Sequence, residues 1–141
     1  LMDRGVEVLG DDHYKEKMSP ITETLAENVY EVAFDGHSLA NECCKGEVND
    51  HRIWWVQAET VIGFLNEYQK HPQKTKFLEA SEAEWEFIKE HVIDPRRGSE
   101  WYWEVYEDGS PILDRPIVEP WKCPYHNGRM CIEVLGRIKE N

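Results

Sequence analysis

Apolar residues recur along most of this chain at helical spacing. Asp3 to about Met18 reads as the tail of a helix with no start cap, as expected of a fragment that opens inside a helix. Ser19-Pro20 pairs an N-cap residue with proline at the first helical position, and Ile21, Leu25, Val29 and Val32 follow at three- and four-residue steps. That helix is expected to end near Asp35-Gly36, leaving 36–50 as a loop with room for a short hairpin. Ile53 to Tyr68 carries the strongest helical pattern. Trp54, Ala58, Val61 and Leu65 share one face, and Trp55, Glu59 and Ile62 share the next. Ser81-Glu82-Ala83-Glu84 has the form of a capping box opening a helix to about Ile93, with Trp85, Ile88 and Val92 as its apolar stripe. Trp101 to Glu107 alternates instead, and Asp108-Gly109 after it is a turn signal, so a strand or hairpin is expected there. Residues 108–122 read as a long loop, and Pro124 opens a last helix running to about Lys139. The pattern predicts an all-α chain of about five helices with one small β excursion. Helix pairs with long connecting loops occur both in plain bundles and in α/α barrels.

Composition narrows the classes of function. The net charge of −12 argues against a nucleic-acid partner, which requires a basic surface. It favours a neutral substrate over an anionic one. No apolar run approaches the length of a membrane span, so no membrane partner is expected. The four cysteines include the adjacent pair Cys43 and Cys44 and no Cys-x-x-Cys, which reads as reduced thiols in a cytoplasmic protein. Cys123, His126 and Cys131 match no common zinc spacing and lack an evident fourth ligand, so neither a metal nor a cofactor is expected. Six tryptophans in a short acidic chain are compatible with a Trp-rich core, but they also raise the prospect of a sugar-facing surface, because pyranose rings stack on aromatic faces.

The chemistry-bearing run is Pro120-Trp121-Lys122-Cys123-Pro124-Tyr125-His126-Asn127-Gly128-Arg129-Met130. It places His126 on the opening turn of a helix, where the positive end of the dipole favours an imidazole that accepts a proton. Arg129 lies one turn on, suited to steadying a developing oxyanion, or else paired along the helix with Glu133. Trp121 stands on a proline-flanked loop as a platform for a ligand, or as a hydrophobic staple. Upstream, Trp54-Trp55-Val56-Gln57-Ala58-Glu59 adds two aromatics and a carboxylate that can orient a base or hold a hydroxyl. The remaining histidines read as surface residues, with His51 the exception to watch because it precedes the tryptophan pair. Asp94, Asp108 and Asp114 invite a two-carboxylate glycosidase reading, but sequence does not set the separation that mechanism requires.

The blocks His51-Arg52-Ile53-Trp54-Trp55-Val56-Gln57-Ala58-Glu59, Gly63-Phe64-Leu65 and Pro120 to Arg129 resemble the cellobiose 2-epimerase family, within the N-acylglucosamine 2-epimerase superfamily. Glu86-Phe87-Ile88-Lys89 and Trp101-Tyr102-Trp103 fit the same pattern. The resemblance implies an (α/α)6 barrel, with residues 1–141 forming the C-terminal portion of one catalytic domain. It implies metal-free inversion at C2 of the reducing-end glucose of a β-1,4-linked disaccharide, through a cis-enediol worked by two histidines. His126 matches one of them. Arg129 and Glu59 match polar contacts to substrate or transition state, and Trp54, Trp55 and Trp121 match the aromatic walls. The other histidine belongs to a Gly-His-Asp-Ile-Glu-type motif that this sequence lacks. Gly36-His37-Ser38-Leu39 echoes that motif in a loop after a different helix. The expected partners are therefore a small disaccharide and the missing N-terminal part of the same barrel, and the fragment alone is expected to be inactive. An aldose–ketose isomerase or an N-acylglucosamine 2-epimerase on the same barrel is the competing enzymatic reading. A non-catalytic sugar-binding module is the competing reading of another class.

Overall fold

The structure is a computed structural model that describes residues 1–139. It divides into two compact units, Leu1–Ala33 and Phe34–Asn141. The first unit is a helix pair. Helix α1 (Met2–Leu9) stops at Gly10, whose φ of 65° and ψ of 25° place it in the left-handed region that glycine enters without penalty. Asp11 then caps α2 (Asp12–Val32), its side chain accepting a hydrogen bond from the His13 N–H. Thr22 Oγ1 donates to Asp3 Oδ1 at 2.8 Å, which ties α2 back onto α1. The expected break at Ser19-Pro20 is thus displaced to Gly10-Asp11, and Pro20 lies inside α2. Proline removes one N–H from the helical ladder, but the capped turns before it have already set the helix going. The stripe Ile21, Leu25, Val29 and Val32 follows the predicted spacing and is exposed.

The second unit is built around α3 (Trp54–Lys70), which packs against both α4 (Lys76–Phe87) and α5 (Tyr125–Lys139). Its core joins Trp54, Ala58, Val61 and Ile62 of α3 to Phe87, Ile88, Val92, Trp101, Val105 and Met130. The hairpin expected in 36–50 is present as β1 (Glu42–Cys44) and β2 (Glu47–Asn49), antiparallel. The alternating segment at 101–107 contributes β4 (Glu104–Val105). Its ladder partner is β3 (Arg52–Ile53), immediately before α3. The Asp108-Gly109 turn does form: Tyr106 N–H donates to Ser110 O at 2.9 Å, and Val105 bridges Pro111. Gly109 is required there, because a Cβ on it would lie 2.3 Å from His91 Nδ1. Among the described residues no helix is long and apolar enough to cross a membrane.

The Ser81–Glu84 motif is not a capping box. Helix α4 begins at Lys76, so Ser81 and Glu84 are interior residues, and a π-helical turn (Ile88–Val92) carries the helix to its end. Both polar side chains face inward: Ser81 Oγ donates to Val61 O of α3 at 3.0 Å, and Glu84 is fully buried with neither carboxyl oxygen hydrogen-bonded. Burial raises the Glu84 pKa well above 4.5, repulsion from Asp35 adds to this, and attraction to Arg52 does not offset it. The folded state therefore holds a proton that the unfolded chain releases. This contribution to stability is full below the ordinary carboxylate pKa and is lost as pH rises towards the raised folded value. Glu84→Gln, neutral at every pH, is expected to raise the melting temperature of the full-length protein at pH 8 by about 3 °C or more. At pH 4 it should leave that temperature nearly unchanged. Melting temperatures that differ by the same amount across that range would show that the Glu84 pKa is not raised by folding.

Candidate active site

Pro124 precedes α5, and Gly128 N–H donates to Pro124 O at 3.0 Å to close its first turn. His126 stands in that turn with Arg129 one turn behind on the same side. Across from them, α3 presents Trp55 and Glu59 four residues apart. Glu59 bridges the helices. Its Oε1 lies 2.9 Å from His126 Nδ1, and its Oε2 accepts from Arg129 Nη1 at 2.5 Å. The Trp55 ring is 5.7 Å from the imidazole at an interplanar angle of 43°, and Tyr125 meets the imidazole edge-on at 4.9 Å. Trp55 is 42% exposed, so an aromatic face borders the histidine on the solvent side.

The electrostatics of the cluster are set by Glu59. Burial alone would raise its pKa, but the hydrogen bonds from Arg129 and His126 and their charges outweigh burial, and the carboxyl lies below its ordinary range. An ionised carboxylate only accepts hydrogen bonds, so a neutral His126 carries its proton on Nδ1 and leaves Nε2 with a free lone pair. Burial disfavours the Arg129 cation, but the hydrogen bond and charge of Glu59 more than compensate and hold the guanidinium protonated. The result is an oriented base beside a fixed cation and an aromatic face. These parts can move a proton at carbon and steady the oxygen that gains negative charge.

The structure brings together His126, Arg129, Glu59 and Trp55. Arg129 turns to Glu59 on the neighbouring helix, while Glu133 lies 3.7 Å from Arg137. Trp54 is placed differently from its neighbour. It is 3% exposed, lies in the core with its ring 4.7 Å from that of Trp103, and has the Lys122 ammonium 5.3 Å above it. Trp121 is 84% exposed at the tip of a turn in which Glu119 and Lys122 exchange both backbone hydrogen bonds, at 3.2 and 3.0 Å. Cys123 and Cys131 are exposed thiols. His51 lies 3.0 Å from Glu104 Oε2, and Arg115 Nε donates to the other oxygen of Glu104 at 2.9 Å. Neither that cluster nor the pairing of Glu100 with Lys122 and Asn127 is visible in sequence, because the partners lie far apart along the chain and share no periodic pattern.

A family model described as N-acylglucosamine 2-epimerase (GlcNAc 2-epimerase) matches residues 8–127. The chain belongs to the N-acylglucosamine 2-epimerase family. It is 48% identical over 137 residues to a cellobiose 2-epimerase of Ruminococcus albus, a match covering 97% of this chain and 35% of that protein. The structure of a sugar epimerase from a ruminal bacterium superposes with a TM-score of 0.92 at 48% identity, covering 96% of this chain and 35% of that one. The structure of cellobiose 2-epimerase from Bacillus thermoamylovorans B4167 gives a TM-score of 0.84 at 40% identity, covering 96% and 34%. These relatives are (α/α)6 barrels, and the all-α class with a small hairpin is that of a piece of such a barrel. The chain spans about a third of the length of the curated relatives it matches.

Proposed function

We propose that the full-length protein is a carbohydrate 2-epimerase that interconverts glucose and mannose units at the reducing end of a β-1,4-linked disaccharide, with cellobiose as its first substrate. The observation that carries this reading is the division of Glu59 between His126 Nδ1 and Arg129 Nη1, which turns His126 Nε2 outward as a free base beside Trp55. The family and the relatives named as cellobiose 2-epimerases support the choice of reaction and substrate. In the ring-opened sugar, His126 Nε2 takes the C2 proton. The C2–H electron pair forms a C1=C2 bond and the carbonyl π pair moves onto the C1 oxygen, giving the cis-enediol as its enediolate. A second base in its protonated form, from a part of the barrel outside this chain, delivers a proton to the opposite face of C2 as the C1–O⁻ pair re-forms the aldehyde, and C2 is inverted. Arg129 steadies the oxygen on which negative charge develops, and Trp55 and Trp121 supply stacking surfaces for the sugar rings. Each direction of reaction uses one histidine as base and the other as acid, as microscopic reversibility requires.

The test is NMR of cellobiose incubated with the full-length protein in D2O. The expected product carries a mannose-type reducing unit with deuterium at C2. A ketose product would move the assignment to an aldose–ketose isomerase, which shares the enediol and diverges at its protonation. Neither turnover nor exchange, in a folded protein, would leave sugar binding without catalysis as the better reading.

A further inference from the structure

We infer that Glu100 is a positioning residue whose carboxylate holds Lys122 and Asn127, and through them sets where Trp121 and His126 stand. The inference rests on the epimerase reading of the same site. Glu100 Oε2 accepts from the Lys122 ammonium, and its Oε1 accepts from Asn127 Nδ2. The backbone of Glu100 is itself fixed: Asp94 N–H donates to its carbonyl at 3.3 Å, and its neighbour Trp101 is buried and bridged to Ile93. The carboxylate is thus an anchor on a held loop, next to the Ile93–Trp101 bridge.

Its two partners flank the segment that carries the candidate chemistry. Lys122 follows Trp121 and Asn127 follows His126. Lys122 is 0% exposed while Trp121, one residue away, is 84% exposed, so the tight 119–122 turn has an inner anchor and an outer aromatic tip. A buried ammonium without a counter-charge is costly, and here Glu100 supplies the charge while the face of Trp54 lies 5.3 Å below. Asn127 is buried as well. Its Oδ1 has no hydrogen-bond partner, so its hold on the protein runs through Nδ2 and Glu100. Moving Lys122 moves the turn that presents Trp121. Releasing Asn127 frees the first turn of α5, on which His126 must keep its 2.9 Å contact with Glu59. Glu100 acts on His126 and Trp121 through their chain neighbours. A single carboxylate thereby couples the placement of the base to the placement of the stacking surface.

The two arms make separable predictions in steady-state epimerisation of cellobiose by the full-length protein. Asn127→Ala is expected to lower kcat about tenfold or more with KM within about twofold, because it loosens the base and leaves the Trp121 turn anchored. Lys122→Met is expected to raise KM about fivefold or more with a smaller effect on kcat, because the turn loses its ionic anchor. Methionine fills the buried space without stranding a cation, and the Glu100 carboxylate left behind is partly exposed to water. Glu100→Gln is expected to show both effects. Should that variant fail to fold, the two single-arm variants still decide between the outcomes. Folded variants that lose melting temperature but keep wild-type kcat and KM would reduce the cluster to a structural brace and overturn the inference. Equal shifts of kcat and KM from both arms would overturn it too. Two controls separate this inference from the reading on which it rests: wild-type-like turnover by His126→Ala would remove His126 from the mechanism and this inference with it, whereas absence of cellobiose epimerisation by the wild-type protein would overturn the epimerase reading itself.

Discussion

His126→Ala in the full-length protein is expected to lower kcat for C2 epimerisation by about 10²–10⁴-fold, the range that a positioned general acid–base contributes. The melting temperature should change little. The His126 side chain is a third exposed, and its removal leaves Glu59 still paired with Arg129, so no buried carboxylate is stranded. KM should change less than kcat, because Trp55 and Trp121 remain. Isotope exchange sharpens the test. The two epimers present their C2 hydrogens on opposite faces, so the variant should lose C2 exchange in D2O from one epimer and keep slow exchange from the other, worked by the second base. Turnover like that of the wild type, or equal exchange from both epimers, would remove His126 from the mechanism.

The second large effect is expected for Glu59→Gln, with kcat lower by about 10²-fold or more, as when a carboxylate that orients a catalytic histidine is replaced by its amide. The carboxylate can only accept, so it fixes the proton of a neutral His126 on Nδ1. An amide can turn its NH₂ towards Nδ1 and force the proton onto Nε2, the nitrogen that must take one from carbon. The same substitution removes the charge opposite Arg129, whose side chain is only 14% exposed. Stability should respond with a definite sign. The folded-state pKa of Glu59 is depressed, so its contribution is present above the ordinary carboxylate pKa of 4.5 and is lost as pH falls through the lower folded value. Glu59→Gln should therefore melt below wild type at pH 7, and the two should converge in acid. A variant with kcat within about threefold of wild type would show that orientation of His126 does not depend on this carboxylate.

Glu84→Gln runs the opposite way, since burial raises that carboxyl: it is expected to gain stability in alkali rather than lose it at neutrality. Two glutamates on adjacent helices thus differ in sign for one reason. Glu59 meets a guanidinium and an imidazole at its burial site, and Glu84 meets no hydrogen-bond donor.

The sequence located α3 and α5 closely, α3 from its long apolar repeat and α5 from the punctuation of Pro124 before it. It also grouped Trp55 with Glu59 and His126 with Arg129, since residues three and four apart on a helix must share a side. The N-terminal boundary and the start of α4 went astray where a local motif had two meanings. Ser-Pro opens a helix only if none is already running, and here Asp11 had started one. Ser-x-x-Glu caps a helix only at its end; inside α4 the same residues turn to α3 and to the core. The division of the tryptophan pair into a buried Trp54 and an exposed Trp55 required the neighbours that cover one ring and not the other, namely Trp103 and Lys122. The choice of Arg129 for Glu59 over Glu133, the β3–β4 ladder, and the gathering of Glu100, Lys122 and Asn127 are likewise tertiary decisions. Local sequence determines which residues share a helix face, because that follows from the backbone repeat. Which two faces meet, and so which base finds which carboxylate, is decided only when the burial of apolar surface brings α3 against α5.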